Sequence, residues 1–347
     1  MPKHVTLRDV ADYAGVLITT VSNVVRDWPY VSQAMRERVK EAIAKLGYSP
    51  HVVAQGLRTG QTQVLAFVVP DLSNPYFAEI VAVAEDIARQ YGYTLLVFNS
   101  HEDAEREAEC VQRAASRWAD GLLISHTTKT RHSSEFWAQF DTPVVAVDRI
   151  PADYTGPQCA LDNRRAGELA TLHLIELGHQ HIAHIAGPQS ARPAVDRQAG
   201  YQQALADCGM SWQRVLYTSD LWGPADGYRL TSELLQGEEI PTAIFASNDR
   251  VAIGALHAIT DHGLRVPEDI SLVGVDDIEI SQHLNPPLTT IHQPLDHLSQ
   301  RAVEMLIGLI RDEQPPESAV LLEPELIVRR STCLLYTSPS PRDRTRS

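Results

Sequence analysis

Polar and aromatic residues follow the apolar runs in the larger, carboxyl-terminal part of the chain. Asp148 and Arg149, for example, come directly after the apolar run at 144–147. Carboxylates, amides and guanidinium groups hydrogen-bond paired hydroxyls, and an aromatic face covers the apolar side of a sugar or a base. The candidate ligand-binding residues are Asp71, Tyr76, Phe77, Asp148, Arg149, Arg192, Arg197, Trp222, Asn248 and Asp276.

As a set, these residues predict a binding site for a small molecule. Any one of them alone has a simpler interpretation, since Asn248, for instance, could merely cap the helix that follows it. The combination of Asp148 and Arg149 with Arg197 and Asn248 favours a carbohydrate ligand. A purine or a nucleoside remains open.

Two other groupings are typical of metal or hydrolytic sites, but their spacing argues against both. His181 and His184 fall on opposite faces of a predicted strand, so they cannot join His179 around one ion. The adjacent Asp276 and Asp277 point to different sides, and no nucleophile or phosphate-binding motif accompanies them. We therefore predict no catalytic residues, no metal site and no cofactor.

The elements that must position the ligand-binding residues alternate between strand and helix from residue 64 onward. The predicted strands are 64–69, 94–98, 122–124, 144–147, 182–186, 243–246 and 272–275. The predicted helices are 76–91, 104–117, 133–140, 164–177, 198–208, 228–235, 251–262 and 294–311. The pattern occurs twice, which predicts two doubly wound lobes with a cleft at the carboxyl ends of their strands. We expect the last helix to return to the first lobe.

The amino-terminal residues predict an all-α domain of three short helices. Their inward-facing residues are Leu7, Val10, Ala11, Ala14, Val21, Val24, Val25, Val39, Ala42, Ile43 and Leu46. Gly15 can adopt the positive φ that joins two helices by a tight turn. This arrangement is typical of a helix-turn-helix, whose second helix enters the major groove. By this spacing alone, a plain three-helix bundle is an equal alternative.

The order of motifs in this region resembles the DNA-binding domain of the LacI/GalR family of bacterial repressors. The matching stretches are V-T-L-R-D-V-A-x-x-A-G-V, T-V-S-N-V, Y-V-S-x-x-x-R-E-R-V and A-I-x-x-L-G-Y-S-P. The resemblance implies that DNA is bound by Thr6, Ile18, Thr19, Thr20, Ser22, Asn23, Tyr30, Leu57 and Arg58. Leu17 stands where the family has Ser or Thr and cannot cap a helix, so we expect Thr19 to cap a helix that begins at residue 20.

The resemblance also predicts the domain organisation. Residues 1–49 form the helix-turn-helix domain, and 50–62 form a hinge whose Leu57 wedges into the minor groove, with a flexible linker as the alternative. Residues 63–331 form a two-lobed core that is similar to type I periplasmic binding proteins and carries effector binding and dimerisation. Residues 332–347 are rich in Ser, Pro and Arg, which predicts a disordered tail that is added or out of frame, with a native basic tail as the alternative.

Charge and composition agree with a DNA-binding domain at one end only. The net charge of −14 divides into +3 for residues 1–60 and −17 for the remainder, so the acidic core would be repelled by DNA. Four scattered cysteines, no apolar membrane run and no export signal indicate a cytoplasmic protein. We predict a homodimeric, effector-responsive repressor that binds operator DNA. The alternative is a sugar-binding protein or an enzyme on the same core.

Overall fold

The computed structural model of the protein describes residues 5–25, 28–48, 62–116, 118–129, 132, 134–151, 154–313 and 317–335. The chain forms two compact units that divide between Gln63 and Val64. In the first unit, three helices enclose a small apolar core: α1 (Leu7–Ala14), α2 (Ile18–Val25) and α3 (Gln33–Leu46).

The turn between α1 and α2 confirms the predicted use of Gly15, whose φ is +60°. The start of α2, however, differs from the prediction. The helix begins at Ile18 because the amides of Thr20 and Val21 both donate to the carbonyl of Leu17. The backbone of Leu17 therefore opens the helix without a capping side chain, and Thr19 lies within its first turn.

The second unit contains two six-stranded sheets. Its strands are β1 (Val64–Val69), β2 (Thr94–Asn99), β3 (Gly121–Ile124), β4 (Val144–Val147), β5 (Gln158–Leu161), β6 (Ile182–Ala186), β7 (Arg214–Tyr217), β8 (Ala243–Ala246), β9 (Ser271–Asp276), β10 (Thr289–His292), β11 (Ala319–Leu322) and β12 (Glu325–Ile327). Its helices are α4 (Pro75–Gln90), α5 (Ala104–Ala115), α6 (Ser134–Trp137), α7 (Asn163–Glu176), α8 (Arg192–Asp207), α9 (Pro224–Leu235), α10 (Asp249–Asp261) and α11 (Leu295–Ile310), with a 3₁₀ turn at Glu279–His283.

The two sheets have the same doubly wound order. The first lobe is built on the sheet β11-β5-β4-β3-β1-β2, and the second lobe on β12-β10-β9-β8-β6-β7. The paired strands are parallel except that β12 runs antiparallel to β10. The strand order reverses beside β1 in the first lobe and beside β6 in the second, which is where such sheets open a crevice for a ligand.

The chain passes between the lobes three times, after β5, after β10 and after β11. The prediction that the last helix returns to the first lobe is confirmed. Leu298, Val303 and Leu306 of α11 belong to the same buried cluster as Phe67 of β1 and Ile80 of α4. Three segments that connect the same two lobes allow the lobes to rotate against each other about an axis through these segments.

All seven predicted strands are present, with ends that differ by one residue at most. The helices predicted at 198–208 and 228–235 begin earlier, at Arg192 and Pro224, because Pro193 and Pro224 occupy first-turn positions where proline suits a helix. The helix predicted at 133–140 is confined to Ser134–Trp137. The predicted boundary of the tail is also too early.

Residues 332–335 belong to the second lobe and not to a tail. The amide of Cys333 donates to Ser271 Oγ over 3.1 Å, and the amide of Leu335 donates to the carbonyl of Leu177 over 2.8 Å. The rest of the predicted tail, and the hinge at 50–61, lie outside the described residues. Among the helices of the described part of the chain, none is long and apolar enough to cross a membrane.

Helices α7 and α8 approach each other closely because glycines stand where they cross. A Cβ on Gly167 would lie 2.0 Å from the carbonyl oxygen of Arg197, and a Cβ on Gly200 would lie 2.0 Å from that of Arg164. Both clashes are with main chain, which cannot rotate away. This crossing fixes the backbone from which the Arg197 side chain extends.

We expect Gly167→Ala to lower the free energy of unfolding by about 1–3 kcal/mol, the usual cost of overpacking a core. Gly308→Ala is the matched control, because the added methyl group of this helical residue meets only one atom, at 3.9 Å, and Ala favours a helix. Urea denaturation of both variants measures the difference. Equal stability of the two variants would contradict the close crossing.

Candidate ligand cavity and DNA-binding helices

A cavity opens between the carboxyl ends of the strands of the two lobes. Its walls are mostly polar and charged. The lining residues are Asn74, Tyr76, Phe77, Asp148, Arg149, Pro193, Arg197, Trp222, Asn248, Asp276 and Gln293.

The guanidinium of Arg197 is the most firmly held group of the cavity. Its Nε donates to Asn163 Oδ1 over 2.8 Å, and its Nη1 donates to the carbonyl of Ser247 over 2.6 Å. Nη1 also lies 3.8 Å from Asp276 Oδ1. Because the side chain is buried and bonded on two sides, it offers a ligand donors of fixed direction.

A chain of hydrogen bonds connects the lobes through Gln293, which precedes α11. The hydroxyl of Tyr76 donates to Gln293 Oε1 over 3.1 Å, and Gln293 Nε2 donates to Asp276 Oδ1 over 2.8 Å. Burial raises the pKa of Tyr76 well above its ordinary value, so the hydroxyl keeps its proton and remains a donor. Gln293 thus fixes one oxygen of Asp276 and leaves the other to a ligand.

Aromatic rings cover the remaining walls of the cavity. The guanidinium of Arg149 lies 5.0 Å from the ring centre of Phe77 and 5.3 Å from that of Trp222, within the range of a cation–π contact. The indole of Trp222 donates to Ser247 Oγ over 2.7 Å, which fixes its orientation. Glu102 holds the other side of Arg149, with 2.6 Å between Oε1 and Nη1.

Three residues of the cavity have strained backbones. Asp148, Trp222 and Asp276 have φ values of +64°, +46° and +122°. Side-chain-bearing residues rarely occupy this region, and each instance costs on the order of 1–3 kcal/mol. Strain of this kind is often found where function requires a fixed direction of a side chain, and three of the eight such residues described line this cavity.

The two acidic residues of the cavity are poorly compensated. Burial raises the pKa of the Asp276 carboxyl, opposed by the charge of Arg197 and aided by that of Asp148. Burial also raises the pKa of Asp148, although Arg149 and Arg197 oppose it. Both carboxylates can therefore accept further hydrogen bonds, and a ligand with several donors would relieve the cost of their burial.

Eight of the ten predicted ligand-binding residues line the cavity. Asp71 does not, because it accepts hydrogen bonds from Ser73 and pairs with Arg250 over 3.2 Å. Arg192 does not, because its side chain is directed outward to Asp196. The lining residues that the sequence analysis missed are Asn74, Pro193 and Gln293.

Asn74 and Pro193 were missed because each has a structural role that already explains its position in the sequence. Asn74 caps α4 by accepting from the amide of Tyr76, and Pro193 lies in the first turn of α8. Gln293 follows β10, a strand only four residues long that the analysis did not assign.

The three histidines considered as metal ligands do not converge. His184 is buried, with its Nδ1 2.9 Å from the carbonyl of Phe245, and burial lowers its pKa to about 4. His181 stacks on Trp212, whereas His179 bonds to the hydroxyls of Thr242 and Ser271. Each ring has a separate structural role.

The predicted DNA-binding residues of the amino-terminal unit differ in their solvent exposure. Thr19 is exposed, Thr20 and Asn23 are half-buried, and Ile18 is 40% exposed. The prediction that Ser22 faces outward is wrong, since it is 7% exposed and lies on the side of α2 that faces the core. A helix that begins at residue 18 places this position inward.

Other residues of this unit extend the exposed surface. Tyr30 is 87% exposed, and Leu17, which the prediction did not include, is 75% exposed. Thr6 forms a capping box with Asp9 at the start of α1, so its side chain already serves the helix. Leu57 and Arg58 lie outside the described residues.

Comparison with known proteins covers both units. A model of the bacterial regulatory proteins of the lacI family matches residues 6–51, and a periplasmic binding protein-like domain matches residues 171–332. The HTH-type transcriptional repressor PurR of Haemophilus influenzae (strain PittEE) is 38% identical over 332 residues, which cover 94% of this chain and 98% of that protein.

Two solved structures extend the similarity to the fold. The lac repressor dimer bound to operator and the anti-inducer ONPF has 33% identity and a TM-score of 0.86, over 95% of this chain and all of that one. The complex of the transcriptional regulator CelR with cellobiose has 31% identity and a TM-score of 0.69, over 94% of this chain and 99% of that one.

The raised pKa of Asp276 predicts how stability depends on pH. The folded protein holds this proton more tightly than the unfolded chain, so the carboxyl lowers the free energy of unfolding as the pH rises above about 4. Asp276→Asn removes the charge and keeps the shape. We expect the variant to gain stability relative to the parent between pH 4 and pH 8, by ~1.4 kcal/mol for each unit of pKa shift.

Melting temperatures of both proteins in the absence of ligand measure this trend. Asp207→Asn, at the exposed end of α8, is the control for the loss of an acidic side chain outside the cavity. A difference between Asp276→Asn and the parent that does not change with pH would contradict the buried, uncompensated carboxylate.

Proposed function

The chain belongs to the lacI family of bacterial regulatory proteins, and we propose that its effector is a carbohydrate. The protein is a ligand-responsive, DNA-binding transcriptional repressor, and its partners are operator DNA and a second copy of the chain. We expect it to act in the cytoplasm and to catalyse no reaction. The effector binds in the cavity described above, and α2 contacts the bases of the operator.

The observation that carries the proposal is that Asp148, Arg197 and Asp276 are all buried and line one cavity. Carboxylates only accept hydrogen bonds and a guanidinium only donates them. Neighbouring hydroxyls of a sugar do both, so one ring satisfies all three groups at once. Trp222 covers the apolar face that such a ring presents.

A purine base is the second candidate. Phe77 and Trp222 both lie within cation–π range of Arg149, so two aromatic faces are available to a flat heterocycle. Ring N–H groups would donate to Asp148 or Asp276. This candidate uses fewer of the polar groups, because a base has no counterpart to the paired hydroxyls that Arg197 and its neighbours would bind.

Ligand binding between the lobes would favour one arrangement of the lobes over another. Two ion pairs already cross the cleft, Asp71 with Arg250 at 3.2 Å and Lys129 with Asp220 at 2.6 Å. A ligand changes DNA affinity only through its different affinity for the two arrangements. We propose that the change reaches the DNA-binding unit through the segment that precedes β1, which leads directly into the first lobe.

We expect Asp148→Asn to weaken effector binding at least ten-fold, because a hydrogen bond to a charged group is worth ~1.5–3 kcal/mol. The measurement is the thermal shift of the full chain with monosaccharides, sugar acids, sugar phosphates, purine bases and nucleosides. Asp196→Asn is the matched control on α8, because its side chain pairs with Arg192 outside the cavity.

A selective shift by a monosaccharide, lost in Asp148→Asn and kept in Asp196→Asn, supports the proposal. A selective shift by a purine, with the same pattern in the variants, would replace the carbohydrate with the second candidate. An effector that binds Asp148→Asn as tightly as the parent would place the effector site elsewhere.

The half-buried Asn23 is the residue of α2 best suited to read a base edge. Asn23→Ala should reduce discrimination at one operator position by ~1–3 kcal/mol and leave binding to nonspecific DNA unchanged. Fluorescence anisotropy with single-base operator variants measures this. If specific and nonspecific binding weaken equally, Asn23 contacts the DNA backbone and not a base.

A further inference from the structure

Three side chains that the ligand cavity does not use converge inside the first lobe. Glu107 comes from α5, His126 follows β3, and His132 lies between β3 and α6. His126 Nδ1 is 2.9 Å from Glu107 Oε1, and His132 Nε2 is 3.0 Å from the same oxygen. Two imidazole nitrogens and a carboxylate oxygen thus face a common point. From this geometry we propose that Glu107, His126 and His132 bind one divalent transition-metal ion, Zn²⁺ above all.

The distances suit such an ion. In a tetrahedral site with bonds of ~2.0–2.1 Å, neighbouring ligand atoms lie about 3.3 Å apart. The three ligand atoms here lie within 4.8 Å of one another, so a relative shift of the two imidazoles by at most about 1.5 Å admits the ion. Two imidazoles and one carboxylate are a ligand set that zinc prefers, and calcium and magnesium do not.

Charge also favours a cation at this point. Glu107 is fully buried, and a buried carboxylate is costly unless a positive charge or several hydrogen bonds compensate it. The amide of Thr127 donates to Glu107 Oε2 over 2.6 Å, which leaves Oε1 to the two imidazoles. A divalent ion would supply such a positive charge directly at Oε1.

The same stretch carries buried polar atoms that have no hydrogen-bond partner among the described residues. They are Ser125 Oγ, His126 Nε2 and Thr128 Oγ1. Unsatisfied buried polar atoms are rare in proteins, and their concentration at one place indicates a polar occupant. A metal ion with a bound water molecule is an occupant of this kind.

Aromatic rings enclose the cluster. Phe136 stacks on His132 with 4.1 Å between ring centres, and Trp137 lies edge-on to His126 and His132 at 5.8 and 5.6 Å. Tyr154 lies 6.1 Å from His126. An apolar shell around a few polar ligands strengthens the electrostatic attraction of the ion and limits the access of water.

The cluster adjoins the ligand cavity without sharing its residues. The amide of His126 donates to the carbonyl of Arg149 over 3.1 Å, and Glu102 bonds both to the amide of Thr128 and to the guanidinium of Arg149. An ion at the cluster would therefore brace the wall from which Arg149 extends. The inference departs from the sequence prediction of no metal site.

The test uses the untagged full-length chain, stripped with a chelator and then titrated with Zn²⁺ in competition with a chromophoric chelator. We expect one tightly bound ion per chain and a melting temperature that rises with Zn²⁺. His132→Gln should weaken binding more than ~100-fold, beyond the loss caused by removing an outer-sphere partner of a metal ligand. His257→Gln is the matched control, because this histidine pairs with Asp261 on the exposed face of α10.

A second measurement does not depend on the folding of a ligand variant. Co²⁺ bound at the cluster should give the visible absorption of a four- or five-coordinate ion and quench the fluorescence of Trp137. Trp137→Phe should abolish most of that quenching and keep the stoichiometry. Equal Zn²⁺ affinity of parent and His132→Gln, or Co²⁺ quenching that persists in Trp137→Phe, would overturn the site.

Discussion

The position of the Arg197 guanidinium is the constraint on which the ligand cavity depends. The glycine crossing of α7 and α8 sets its backbone, while Asn163 and the carbonyl of Ser247 hold its side chain. The same guanidinium is the nearest positive charge to Asp276, at 3.8 Å. Without it, the buried carboxylate of Asp276 would lose its largest compensating charge, at a cost of several kcal/mol.

Several features of the cavity lower the stability of the free protein and favour the binding of a ligand. Strained backbones at Asp148, Trp222 and Asp276 and two raised carboxyl pKa values all reduce the stability of the free protein. The extensive cores of the two lobes offset this cost. Because the strain and the desolvation are already present before the ligand arrives, a matching ligand recovers part of them as binding energy, and a mismatched ligand does not.

The sequence predicted the buried parts of the fold better than its edges. Continuous apolar runs such as β1 and β8 have only one plausible structure in an α/β protein, and their prediction was accurate. Two of the strands that the analysis missed, β7 and β11, are short edge strands with exposed residues and carry no comparable pattern. Cavity residues that directly follow a predicted strand were identified in the same way. Gln293 was missed because β10, the strand that it follows, was not predicted.

Long-range convergence explains the remaining gap between sequence and site. Glu107, His126 and His132 are separated by 19 and 6 positions in a chain that offers 14 histidines, so no spacing rule selects them. Only the adjacency of β1 and β3, with α5 packed against them, brings the three together. The wall that carries Arg149 is consequently held from two sides, by Glu102 toward the cavity and by His126 toward the cluster. A change at the cluster therefore has a short, fully bonded route to the cavity.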